Sequence, residues 1–182
     1  NKNNPNSIST NNVKSIIKTQ KGNLWIGTHD GGLNFLNPSI QPFVFKKYRR
    51  DVNDSLSLSN DRIIALHEDL NNNIWIGTSG GGLNMLNPKI KKILRIKKVN
   101  TFVGDFVYNI SETNNKNILL ISGSKGLAKI NINTKELSQI KYKNEKEAVE
   151  NTTITLCAYE DEFKNIWIGT QGDGVYYYDT TT

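Results

Sequence analysis

Few side chains in this sequence are of a type and spacing that could do chemistry. The two histidines, His29 and His67, stand in unlike settings, the first in a turn beside Asp30 and the second in a strand-like run. A zinc site needs three or four ligands at recognisable spacing, and that pattern is missing, so no metal and no cofactor are expected. Two carboxylate pairs, Glu68-Asp69 and Glu160-Asp161, recur at one place in a repeat. A recurring pair reads as turn chemistry, whereas a glycosidase brings two carboxylates together once. The single cysteine, Cys157, lies in a strand pattern and reads as a small buried apolar residue. Gly31-Gly32 and Gly80-Gly81-Gly82 follow strands, but no helix start follows them, so they are turns and not a phosphate cradle. No nucleophile elbow of the Gly-x-Ser-x-Gly kind is present. The expectation is that no residue here is catalytic.

The elements that carry these residues come from a repeat. Asn23-Leu24-Trp25-Ile26-Gly27-Thr28 leads to Gly31-Gly32-Leu33-Asn34, and Asn73-Ile74-Trp75-Ile76-Gly77-Thr78 to Gly81-Gly82-Leu83-Asn84. Asn165-Ile166-Trp167-Ile168-Gly169-Thr170 leads to Asp173-Gly174-Val175, and a degraded copy, Asn117 to Ser122, leads to Gly126-Leu127. Trp25, Trp75, Leu119 and Trp167 thus stand 50, 44 and 48 residues apart. A period of that size marks a propeller or solenoid array. Within the second copy, Arg62–Glu68, Ile74–Thr78, Leu83–Leu86 and Ile90–Lys98 read as four strands separated by Asn, Asp, Gly and Pro turns. Four short antiparallel strands per unit make a propeller blade.

The predicted fold class is therefore all-β: one partial propeller over 1–182, with four blades near 11–50, 60–99, 104–143 and 152–179. Val13, Ile63, Val107 and Thr155 each stand twelve residues before the Trp position, so the four copies are expected to align without gaps through the third strand. The repeat motif itself (Trp25, Gly27, Gly32; Trp75, Gly77, Gly82; Leu119, Gly126; Trp167, Gly169, Gly174) is assigned to architecture. A large indole beside a glycine suits the place where neighbouring blades interlock. A ligand would bind instead where the copies differ. In a propeller, the turn between strands two and three shares a face with the linker entering strand one. That face collects Asn12, His29, Asp30, Asn60, Asp61, Arg62, Gln171 and Asp173, all able to bond sugar hydroxyls.

Composition sets outer bounds. The 182 residues are 36% hydrophobic and 22% charged, with a net charge of +6. No apolar run approaches the roughly 18 residues that span a bilayer. The basic stretch Lys89 to Lys98 alternates with apolar residues and lacks interleaved aromatics, so it reads as a lysine-guarded edge strand rather than a nucleic-acid site.

The Trp-Ile-Gly-Thr and Gly-Gly-Leu-Asn motifs, with the linker Asn53-Asp54-Ser55-Leu56-Ser57-Leu58-Ser59-Asn60-Asp61, resemble the two-component regulator propeller repeat. The resemblance covers almost the whole chain. It implies the periplasmic sensor region of a Bacteroides-type hybrid two-component system, with the membrane helix, histidine kinase and DNA-binding regulator elsewhere. It further implies an oligosaccharide signal and control of transcription. Propellers of this family usually have about seven blades, so the chain reads as a fragment. Its exposed end blades suggest a homodimer that closes an approximate eight-bladed ring. The alternatives are a carbohydrate-active lyase or hydrolase on a propeller, or a passive protein-interaction scaffold.

Overall fold

The computed structural model describes residues 4–96, 99–142 and 153–180. It is built of four antiparallel sheets arranged as blades. Blade 1 is β1 (Val13–Lys18), β2 (Leu24–Thr28), β3 (Leu33–Leu36) and β4 (Lys46–Tyr48). Blade 2 is β5 (Ile63–Glu68), β6 (Ile74–Thr78), β7 (Leu83–Asn87) and β8 (Lys92–Ile96). A short helix, α1 (Val99–Phe102), then leads to blade 3: β9 (Val107–Glu112), β10 (Ile118–Gly123), β11 (Gly126–Asn131) and β12 (Leu137–Ile140). Blade 4 has three strands among the described residues, β13 (Thr155–Glu160), β14 (Ile166–Thr170) and β15 (Val175–Tyr178). The first strands pack in the order β1, β5, β9, β13. Lys97 and Lys98 of the basic stretch, and Lys143 and Thr152 at two of the expected blade limits, lie outside the described residues.

The core is not inside the blades but between them. Trp25, Leu33 and Phe35 of blade 1 pack with Ile63, Leu66, Ile74 and Ile76 of blade 2. Trp75 and Leu83 pack with Val107, Ile110, Leu119 and Ile121 of blade 3. Leu120 and Leu127 pack with Ile166 and Ile168 of blade 4. At each junction the earlier blade thus presents the face of its Trp position, filled by Leu120 in blade 3, and the later blade its isoleucine face, as period-2 alternation dictates. The glycine two residues past the indole is the gap that admits the neighbour. A methyl on Gly27 would lie 2.6 Å from Ile63 Cγ2, and one on Gly77 would lie 2.8 Å from Val107 Cγ1.

Three sequence expectations need correction. The copies do not align without gaps. Ile110 pairs with Ile121 as Leu66 pairs with Ile76, so Leu120, not Leu119, holds the Trp position. The turn Thr113–Ile118 carries one residue more than its counterpart Asp69–Asn73, and the following turn one fewer, which hides the slip in the overall spacing. Because side chains alternate, that slip puts Leu119 on the face toward blade 2. Second, Cys157 is exposed. It pairs with Gly169 as Ala65 pairs with Gly77, on the face where a further blade would lie. Third, Trp167 is 46% exposed, while Trp25 and Trp75 are buried, because the described residues place no blade against it.

The face of the blade turns as candidate functional site

The motif residues hold each blade to itself. The Thr28, Thr78 and Thr170 hydroxyls donate to the carbonyls of Gly32, Gly82 and Gly174, each at 2.8 Å. Those three glycines have φ of 73°, 69° and 75°, in the left-handed region that other residues resist. The buried Asn34 and Asn84 clamp the incoming linker: each accepts the backbone N–H of Ser9 or Ser59 and donates to its hydroxyl. Both pairs are 25 residues apart, a constant separation that could have revealed this clamp in the sequence.

The carboxylate pairs divide their labour. Asp69 accepts the Asn71 and Asn73 amides and, on its other oxygen, the Trp75 indole N–H at 2.8 Å. Asp161 repeats this with Phe163, Asn165 and Trp167. Burial tends to raise the Asp161 pKa, but these donors outweigh it and hold the carboxyl below its ordinary value. The adjacent glutamates reach back one blade: Glu68 accepts Gln20 N at 2.8 Å, and Glu160 accepts Asn114 N at 2.6 Å. Glu112 takes the same route, its Oε1 lying 3.5 Å from His67 Nε2. Burial of the His67 ring lowers its pKa, with Glu112 opposing. Sequence reasoning found the turn role of the pairs and missed the inter-blade role of the glutamates.

The turns between second and third strands do lie with the linkers. His29 N donates to Asn12 O, and Gly32 N donates to Asp61 O of the next blade's linker. Likewise Ser79 N donates to Arg62 O, and Gly80 and Gly82 donate to Asp105 O. Asn12, His29, Asp30, Asn60, Asp61 and Arg62 therefore gather around the junction of blades 1 and 2. Gln171 and Asp173 belong to blade 4, beyond blade 3, and do not join that group; Gln171 N donates to Ile154 O of its own linker. Two members are spoken for, since Asp61 Oδ1 accepts Arg50 N and Asn60 Oδ1 accepts Arg62 N. The side chains of His29, Asp30, Arg62 and Gln171 make no hydrogen bond or ion pair among the described residues. They leave polar and charged groups open along the rim. Among the described residues no group of His, Cys, Asp and Glu could hold a metal ion, and no helix is long and apolar enough to cross a membrane.

Residues 7–30, 57–80 and 149–172 match the sequence profile of the two-component regulator propeller. These three segments are similar to two-component regulator propeller repeats. The degraded third copy falls outside the matches, in keeping with its shifted register. No curated protein matches the chain in sequence. Among solved structures, it is similar to the extracellular domain of a Bacteroides thetaiotaomicron protein assigned as a hybrid two-component system, with 21% identity and a TM-score of 0.76. That match covers 98% of this chain and 24% of the other. A second extracellular domain from B. thetaiotaomicron, assigned as a one-component system, is 26% identical with a TM-score of 0.70, covering 93% and 21%. PorZ, a surface component of the type IX secretion system of Porphyromonas gingivalis, shares the fold at 18% identity and a TM-score of 0.64, covering 91% and 25%. The repeats described here thus span about a quarter of the length of the structures they match.

Proposed function

We propose that this chain is part of the extracytoplasmic ligand-sensing propeller of a hybrid two-component histidine kinase. The observation that carries the reading is the match of three segments to two-component regulator propeller repeats, joined to a blade arrangement like that of extracellular sensor domains. In this reading the segment sits in the periplasm, as part of an inner-membrane protein whose spanning helix, kinase and transcription-controlling regulator lie elsewhere. Its ligand is an oligosaccharide, held on the rim by Asn12, His29, Asp30, Asn60, Asp61 and Arg62, with Gln171 and Asp173 forming a separate contact on blade 4. Binding alters how two ectodomains pair, and the paired state sets kinase output.

The engagement of both carboxylate pairs in structural bonds favours this sensor reading over a lyase or hydrolase. The test is retention of the 182-residue chain on an array of short oligosaccharides from pectin, starch and mucin. One structural class should be retained, and Asp30→Ala with Arg62→Ala should weaken it without altering the fold. Release of new reducing ends from any of them would instead establish an enzyme. Absence of retention would remove the rim as a ligand site.

A further inference from the structure

The junctions of blades 1 and 2 and of blades 3 and 4 follow one plan but are not equally filled by the described residues. By register, the row facing the next blade is Trp25–Phe35 in blade 1, Trp75–Met85 in blade 2 and Trp167–Tyr177 in blade 4. In blade 3 that row is Leu120–Lys129, with Ser138 beside it. Elsewhere rings fill the row: Trp25 packs on Phe35 at 4.8 Å and on Tyr48 at 5.5 Å, and Lys135 lies over Trp75 at 5.1 Å. Between blades 1 and 2, a cleft of only about 60 Å³ remains, bounded by Trp25, Phe35, Glu68 and Ile74. The counterparts of those four residues between blades 3 and 4 are Leu120, Lys129, Glu160 and Ile166. They bound a cleft of about 670 Å³. Small-molecule sites commonly measure about 300–1,000 Å³.

We propose that the cleft between blades 3 and 4 binds a small ring carboxylate that also carries a hydroxyl group. Leu120 and Ile166 are buried and give an apolar floor for one face of a ring, and Tyr178 adds an aromatic edge. Lys129 is exposed on the wall and makes no hydrogen bond or ion pair among the described residues, so its ammonium is available to a carboxylate. Glu160 is fixed by the Asn114 amide on one oxygen, which leaves the other to accept from a hydroxyl. Lysine is an unusual occupant of a row that the other blades fill with Phe, Met and Tyr. An ammonium there gains nothing from packing, whereas it suits an anion. The inference stands on this junction alone and does not depend on the sensor reading or on the rim.

Two ring carboxylates distinguish the sources of that chemistry: D-glucuronate, a hydroxylated sugar acid, and 4-hydroxybenzoate, an aromatic one. Each is titrated into the 182-residue chain and followed by calorimetry and by NMR shifts. At least one should bind saturably, and Lys129→Gln should weaken it about tenfold, the loss expected for one charge-assisted contact. The double variant Leu120→Trp with Lys129→Phe restores the row of the other blades. It should abolish binding while melting no lower than the parent. If that variant fails to fold, the exposed Lys129→Gln decides alone. Lys92→Gln, at an exposed lysine on the outer strand of blade 2, should bind as the parent does. Saturation by neither compound below about 10 mM, affinity unchanged in Lys129→Gln, or equal loss in Lys92→Gln would overturn the proposal.

Discussion

At the residue scale, a single carboxylate organises each turn that precedes an indole. Asp69 is buried and accepts from two backbone amides, the Asn73 side chain and the Trp75 indole. Removing it leaves several buried donors without an acceptor, and each such donor costs about 1–3 kcal/mol. Asp69→Ala is therefore expected to lower stability by about 3 kcal/mol in urea denaturation, and Asp69→Asn, which keeps one acceptor oxygen, by less. Asp161 has the same partners in an exposed setting, so Asp161→Ala should shift the midpoint much less than Asp69→Ala. Equal shifts would show that the indole bond, and not burial, sets the cost. Blade 1 has Thr19 at this place, where its hydroxyl accepts Asn23 N and the indole has no carboxylate. The motif's aspartate is thus a stabiliser of individual blades and not a condition for the fold.

At the element scale, the indole and its glycine explain why blades stack in one order. A methyl group on Gly77 would meet Val107 Cγ1 at 2.8 Å and Val107 O at 2.9 Å, both on the first strand of the next blade. On Gly169 it would crowd Cys157 Sγ at 2.7 Å, the end of an exposed side chain, with Cys157 O at an ordinary 3.8 Å. Gly77→Ala should therefore cost about 2–3 kcal/mol through forced separation of blades 2 and 3, and Gly169→Ala below about 1 kcal/mol. Chemical denaturation of the two variants checks the contrast. Strand pairing of this kind was legible in the sequence wherever the motif was intact, because turn residues and β-formers alternate at fixed spacing. It failed in blade 3. There one residue was gained in the turn at Asn114–Lys116 and one lost before Gly126, so the ends of the copy stayed in step while Leu119 and Leu120 exchanged faces. The helix Val99–Phe102 was also unforeseen. Four residues are too few to show a helical period, and the core of blades 2 and 3 takes in its buried Val99 and, just past its end, Val103. On the rim, the gathering of Asn12 through Arg62 at one junction could be read from topology. That Asp61 is bound to the Arg50 backbone could not, since its partner lies eleven residues away, whereas Asn60 binds the Arg62 amide in a local Asx turn.

At the scale of the whole molecule, the described blades end on two unlike faces, each with exposed apolar side chains. Blade 4 presents Trp167, Tyr159 and Tyr177, which are 46%, 64% and 53% exposed, around the Gly169 gap. Blade 1 presents Val13 and Ile16, which are 46% and 59% exposed and stand where Ile63 and Leu66 stand in blade 2. Inside the chain, Ile63 enters the Gly27 gap and Val107 the Gly77 gap. Val13 of a second copy has the same β-branched shape for the Gly169 gap. If two copies made both contacts about a two-fold axis, a ring would close and both wet faces would be covered at once. The isolated chain, of 20.5 kDa, is therefore expected to sediment at twice that mass at micromolar concentration. Ile16→Glu and Tyr159→Glu alter side chains that are exposed within one copy, so each should leave circular dichroism unchanged and shift sedimentation to the single-chain mass. A parent chain that sediments singly, or a dimer indifferent to both substitutions, would show that these faces do not meet in this way. The Trp167 indole supplies an independent signal. Its emission should shift to shorter wavelength on association, since burial against Val13 would take from it the solvent that Trp25 and Trp75 already lack.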